Sequence, residues 1–103
     1  MKIALKSPRQ PEWFLESLSV AAIKICKEHQ LGGQSWKSEL EQNLMITDSL
    51  GASDLELVFE KDLESKGIVV KFDSRDDKRV KQIMGWLCES YASLFEERFE
   101  MEW

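Results

Sequence analysis

Asp54-Leu55-Glu56-Leu57-Val58-Phe59-Glu60-Lys61-Asp62-Leu63-Glu64-Ser65-Lys66-Gly67-Ile68-Val69-Val70-Lys71-Phe72-Asp73 is the stretch on which the fold turns, because two local patterns compete in it. Read as a helix, it has Ser53 and Glu56 in capping-box positions, Leu55, Val58, Phe59 and Leu63 on one stripe, and Gly67 as its stop. Read as a strand, it alternates Leu55, Leu57 and Phe59 with Glu56 and Glu60, then turns and returns as Ile68, Val70 and Phe72. The return run from Gly67 to Asp73 has strand character, and a lone strand there needs a neighbour, for which the preceding run is nearest. A β-hairpin over about 54–73 is therefore preferred, with a mainly α fold carrying a helical 54–66 as the alternative.

Upstream, residues 2–6 alternate so that Ile3 and Leu5 share one side, the pattern of a short first strand. From Pro11 the period changes. Phe14, Leu18, Ala21, Ala22 and Ile25 recur at helical steps, Pro11 suits a first turn, and Gly32-Gly33 offers a stop, which predicts a long helix over about 11–30. Trp36, Leu40 and Leu44 are spaced by four behind Ser35, a candidate N-cap, and predict a short second helix over about 36–45, followed by a loop at about 47–53. Downstream of the hairpin, Val80, Ile83, Met84, Leu87, Tyr91, Leu94 and Phe95 form one apolar stripe. With Asp76 and Asp77 complementing the positive end of the helix dipole, a final helix over about 76–100 is predicted. The expected architecture is a single α+β domain spanning 1–103, with the helices packed on one face of a small sheet.

Composition narrows what such a domain does. The 103 residues suffice for one core. Hydrophobic residues make up 43%, which is enough to offset ordering entropy, so the chain is expected to fold alone. Fourteen Lys and Arg against nineteen Asp and Glu give a formal charge of -5, which argues against direct binding to nucleic acid or to anionic lipid. The N-terminal apolar run is broken by Lys6, Pro8 and Arg9, short of a signal peptide. No apolar stretch nears the roughly 20 residues of a membrane span. Cys26 and Cys88 lie far apart without a paired motif and read as reduced thiols of a cytoplasmic protein.

Chemistry-bearing patterns are sparse. The only imidazole, His29, follows Cys26 by three residues on the first predicted helix, the spacing of a thiol-imidazole dyad. The plainer reading takes Cys26 as a small core residue and His29 as a cation-tolerant helix end. Structural zinc wants four ligands, and no second pair exists, so neither metal nor cofactor is expected. Gly32-Gly33 lacks a phosphate-cradling frame. The pairs Asp76-Asp77 and Glu96-Glu97 read as solvated rather than as catalytic carboxylates, and no enzymatic activity is expected. The run Leu50-Gly51-Ala52-Ser53-Asp54-Leu55-Glu56-Leu57-Val58, with Gly67-Ile68 after it, resembles the segment around the prosthetic-group serine of acyl carrier proteins. In that family Asp precedes Ser. Here Ser53 precedes Asp54, so no modification site is carried over.

Charge placement is the most informative feature. Residues 1–52 hold six basic and six acidic side chains, whereas residues 53–103 hold eight and thirteen, the whole of the -5. Within the predicted final helix, Arg75, Lys78, Arg79 and Lys81 crowd the beginning, while Glu89, Glu96, Glu97, Glu100 and Glu102 crowd the end, against the helix dipole. At about 100° per residue, Trp86 falls off the apolar stripe and onto a strip with Gln82, Glu89, Ser93, Glu96, Glu97 and Glu100. An aromatic among carboxylates resembles a binding anchor inside a charged rim. The partner-binding residues expected are Trp86, Glu89, Ser93, Glu96, Glu97 and Glu100, facing a basic surface on another protein. The ordinary reading packs Trp86 under a neighbouring helix and leaves the glutamates solvated. Trp13-Phe14, Phe99, Met101 and Trp103 add aromatic and apolar surface that would suit a homodimer. The function expected is a regulator or adaptor acting by protein-protein interaction. A carrier or small-ligand-binding domain, marked by a helical 54–66 and a lined apolar pocket, is the alternative.

Overall fold

In the computed structural model, which describes residues 1–5, 11–37, 41–47, 55–62 and 67–103, the chain runs β1 (Lys2–Leu5), α1 (Pro11–Glu28), β2 (Gly32–Lys37), β3 (Glu41–Thr47), β4 (Leu55–Lys61), β5 (Ile68–Lys71), α2 (Asp77–Phe95) and β6 (Phe99–Glu102). A 3-10 turn at Ser74–Asp76 leads into α2. The strands form one sheet in the order β2-β3-β4-β5-β1-β6, and every neighbouring pair is antiparallel. This is an α+β domain with the short first strand, the long first helix and the β4-β5 hairpin that the sequence predicts. The alternative of a helical 54–66 gives way to strand at Leu55–Lys61.

The pairing senses make β1 parallel to β2 and β5 parallel to β6, each joined through a helix. The two crossovers travel in opposite directions along the sheet from oppositely running strands, so crossovers of the same hand lay both helices on one face. Burial agrees. Ile3, Leu55, Leu57, Phe59, Ile68, Val70 and Phe99 are buried with Phe14, Leu15, Leu18 and Ile25 of α1 and Val80, Ile83, Met84, Leu87 and Tyr91 of α2. The alternate strand residues Lys2, Ala4, Glu56, Lys71, Glu100 and Glu102 are exposed on the opposite, open face.

Two elements differ from the sequence prediction. In place of a short helix over 36–45, Gly32–Lys37 and Glu41–Thr47 are strands. A spacing of four fits a period of 2 as well as a period of 3.6, so Trp36, Leu40 and Leu44 could not tell helix from strand. What decides is the free edge of β4: register sets the buried Leu57 and Leu55 opposite Leu44 and Ile46. The final helix stops at Phe95 rather than near 100, and Phe99–Glu102 pairs with β1. Phe99 and Met101 alternate with Glu100 and Glu102, the pattern of a strand with one buried side. Beyond Thr47, the expected loop at 47–53, with Ser53 and Asp54, lies outside the described residues.

Helix α1 also stops by another device than Gly32-Gly33, which lie within β2. Gln30 adopts φ 56°, and the Leu31 N–H donates to the Cys26 carbonyl at 2.8 Å, which closes the helix with a Schellman-type turn. A side chain in this left-handed region costs about 1 kcal/mol that glycine avoids. Gln30→Gly is therefore expected to stabilise the fold by roughly 0.5–1 kcal/mol in urea denaturation; a destabilised variant would contradict the assigned turn.

Candidate functional site

The expected contact residues run from the middle of α2 into β6. Glu96 closes α2 in a left-handed conformation, φ 57°, with its N–H donating to the Ala92 carbonyl at 2.9 Å. Three residues later the buried ring of Phe99 enters the core beside Phe14 and Tyr91. The anticipated single strip is therefore split. Trp86, Glu89 and Ser93 lie on α2, Glu96 caps it, Glu97 sits in the turn, and Glu100 is on β6.

Trp86, Glu89 and Ser93 have named partners within the chain. Trp86 is half-buried and stacks on His29 at the end of α1, ring centroids 3.6 Å apart and 8° from parallel. The Arg79 guanidinium lies 5.5 Å from the same indole. Glu89 accepts two hydrogen bonds from Arg98, from Nη1 at 2.9 Å and Nη2 at 3.2 Å, and these hold its carboxyl below the ordinary range. The Ser93 hydroxyl accepts from Lys24 Nζ at 3.3 Å. The indole thus joins the end of α1 to the middle of α2, close to the ordinary packing reading.

Glu96, Glu100 and Glu102 are exposed and Glu97 is half-buried, so carboxylates dominate this corner. From 89 to 103 there are five glutamates and one cation, Arg98, which Glu89 holds. Lys2 stands opposite Glu102 in the ladder, but its ammonium lies 3.7 Å from Asp62. Sequence reasoning missed the place of Glu102 beside Glu100. The signal was the period-2 alternation of residues 99–102, read there as the tail of a helix.

The thiols carry no sign of activation. Burial pushes the Cys26 thiol above its ordinary range, while the neighbouring imidazole is committed to Trp86. Cys88 is buried and likewise raised, chiefly by desolvation, and its Sγ donates to the Phe99 carbonyl at 3.8 Å. Among the described residues no group of three or more His, Cys, Asp or Glu is placed to hold a metal ion, and no helix is long and apolar enough to cross a membrane. Of the aromatic and apolar residues considered for a dimer, Phe14 and Phe99 are buried, Trp13 and Met101 are half-buried, and Trp103 is half-exposed against Phe72.

On the open side, a groove of about 730 Å³ is lined by Glu56 and Val58 of β4, by Lys71 and Phe72, and by Asp73, Arg75 and Asp76 of the turn into α2. Its two cations are paired, Lys71 with Glu60 at 2.9 Å and Arg75 with Asp73 at 2.7 Å. The Arg75 side chain and then the Arg75 N–H hold the Asp73 carboxyl down at about 2.

Two outcomes follow. Because Asp73 is depressed from 3.8 to about 2, its contribution is complete above its unfolded value and fades as pH falls toward 2. Asp73→Ala should therefore lower the urea midpoint more at pH 5 than at pH 2, and an equal gap at both would contradict the pairing. His29→Ala should cost about 0.5–1.5 kcal/mol and shift tryptophan emission, both effects shrinking when Trp86 is already Phe; an undiminished effect in that background would contradict the stack. Comparison of the chain with family models, with curated proteins and with solved structures finds no match.

Proposed function

We propose that this domain is a non-catalytic protein-protein interaction module, a regulator or adaptor that contacts a basic surface on its partner through the acidic corner made by the end of α2 and by β6. The observation that supports it is the charge balance of that corner. Glu96, Glu97, Glu100 and Glu102 flank Arg98 in the sequence, and its guanidinium is taken by Glu89, so carboxylates outnumber cations in this stretch. The original set is revised accordingly: Trp86 stacks on His29, Glu89 and Ser93 are engaged by Arg98 and Lys24, and Glu102 joins the contact residues. Of the two marks of the carrier alternative, a helical 54–66 and a lined apolar pocket, the first is missing, since Leu55–Lys61 is strand.

The test is capture of partners from cell extract by the intact protein and by a Glu96→Lys, Glu97→Lys, Glu100→Lys variant at two salt concentrations. Partners bound by the wild type should be lost from the variant and should weaken at high salt, because exposed charges are screened over about 10 Å at 0.1 M. Partners retained by the folded variant, or insensitive to salt, would contradict the reading.

A further inference from the structure

We propose that the outer edge of β6 accepts an extended basic segment of another protein as a seventh strand, paired through Met101 and selected by Glu100 and Glu102. The inference rests on the acidic-contact reading above and names the partner's form.

The alternation of the ladder carries it. The Val70 N–H donates to the Met1 carbonyl at 2.8 Å, and the amino terminus donates to the Val70 carbonyl at 3.4 Å, so Met1 and Val70 are a hydrogen-bonded pair. Such pairs recur at every second residue of an antiparallel ladder. Ile3 therefore also bonds toward β5, opposite Ile68, while Lys2 and Ala4 turn their N–H and C=O toward Glu102 and Glu100. Glu100 and Glu102 answer toward β1, and the backbone groups of Phe99 and Met101 face the outer rim. The Cys88 thiol agrees independently, since it reaches the Phe99 carbonyl from α2. With α2 over Phe99, Met101 presents an outward N–H and C=O at the end of the sheet order.

The side chains name the occupant. An antiparallel strand bonded to Met101 sets its flanking residues opposite Glu100 and Glu102, with Cβ atoms about 4.5–5.5 Å apart on the open face. Lys or Arg there meets a carboxylate, and the residue between them lies on the helix-covered side beside half-buried Met101, where an apolar side chain fits. The segment reads basic-apolar-basic. A second copy of this chain fits badly, because antiparallel self-pairing about Met101 sets Glu100 opposite Glu102 twice.

The probe is a capped lysine-valine-lysine-valine-lysine peptide titrated against the full chain by amide NMR, beside the same peptide with both valines N-methylated. The unmodified peptide should shift the Met101 amide, and N-methylation should weaken binding at least about fivefold, as the loss of an edge hydrogen bond implies. Met101→Pro should abolish binding while the Glu100 and Glu102 ladder amides stay protected, because its N–H lies outside the β1-β6 ladder. Glu100→Gln with Glu102→Gln should weaken binding several-fold. Equal binding of the two peptides, with loss only in the glutamine variant, overturns strand addition while leaving the acidic contact in place. No binding of the unmodified peptide, or self-association through β6 that the peptide does not displace, overturns the inference outright.

Discussion

Tyr91, Phe14 and Phe99 bring a helix-helix contact and the last strand together. Their ring centroids lie 5.4 to 5.8 Å apart in edge and tilted arrangements, and Phe95 adds a fourth ring 4.9 Å from Tyr91. Such pairs favour offset geometry and contribute beyond the area they bury. Because Phe14 belongs to α1, Tyr91 to α2 and Phe99 to β6, this cluster fixes where the chain must leave α2 and re-enter the sheet. With Phe99 anchored, the alternation of residues 99–102 follows: apolar toward the helices, glutamate toward the open face. The acidic corner is thus a consequence of aromatic packing, and its carboxylates sit on rigid elements.

The same geometry changes the meaning of the charge pattern. Five glutamates at the end of one long helix would oppose its dipole, a local conflict suggestive of function. Only Glu89 lies inside α2, while Glu96 caps it and Glu97, Glu100 and Glu102 lie beyond it. Most of the apparent conflict is therefore a misplaced boundary. What remains is spatial: an edge strand whose exposed side chains are acidic, next to an arginine held by Glu89. Charges on an edge strand also deter indiscriminate edge-to-edge pairing, which makes recognition of a basic segment selective.

Much of the fold is legible in the sequence. The long apolar stripes of α1 and α2 and the alternation of Leu55, Leu57 and Phe59 against Ile68 and Val70 each point to one structure. Residues 36–45 mislead because a spacing of four belongs to both periodicities, and only the tertiary need of β4 for a second neighbour resolves it. Residues 96–100 mislead because helix boundaries are weakly marked when the left-handed cap is Glu rather than Gly. The candidate site inherits that error. Trp86 is correctly placed off the main stripe, but nothing local to it shows that His29, nearly sixty residues away in sequence, stacks on its ring. Glu102 and Met101 become visible only once β6 is recognised as a strand.

The central claim, that residues 99–102 form an edge strand with Met101 turned outward, is tested most directly by native-state hydrogen exchange of the backbone amides there. Glu100 and Glu102, bonded to β1, should exchange slowly, and Met101 should exchange rapidly beside them. Uniform protection across 96–101, as in a helix running on past Phe95, or equal exposure of all four strand amides, would contradict the account.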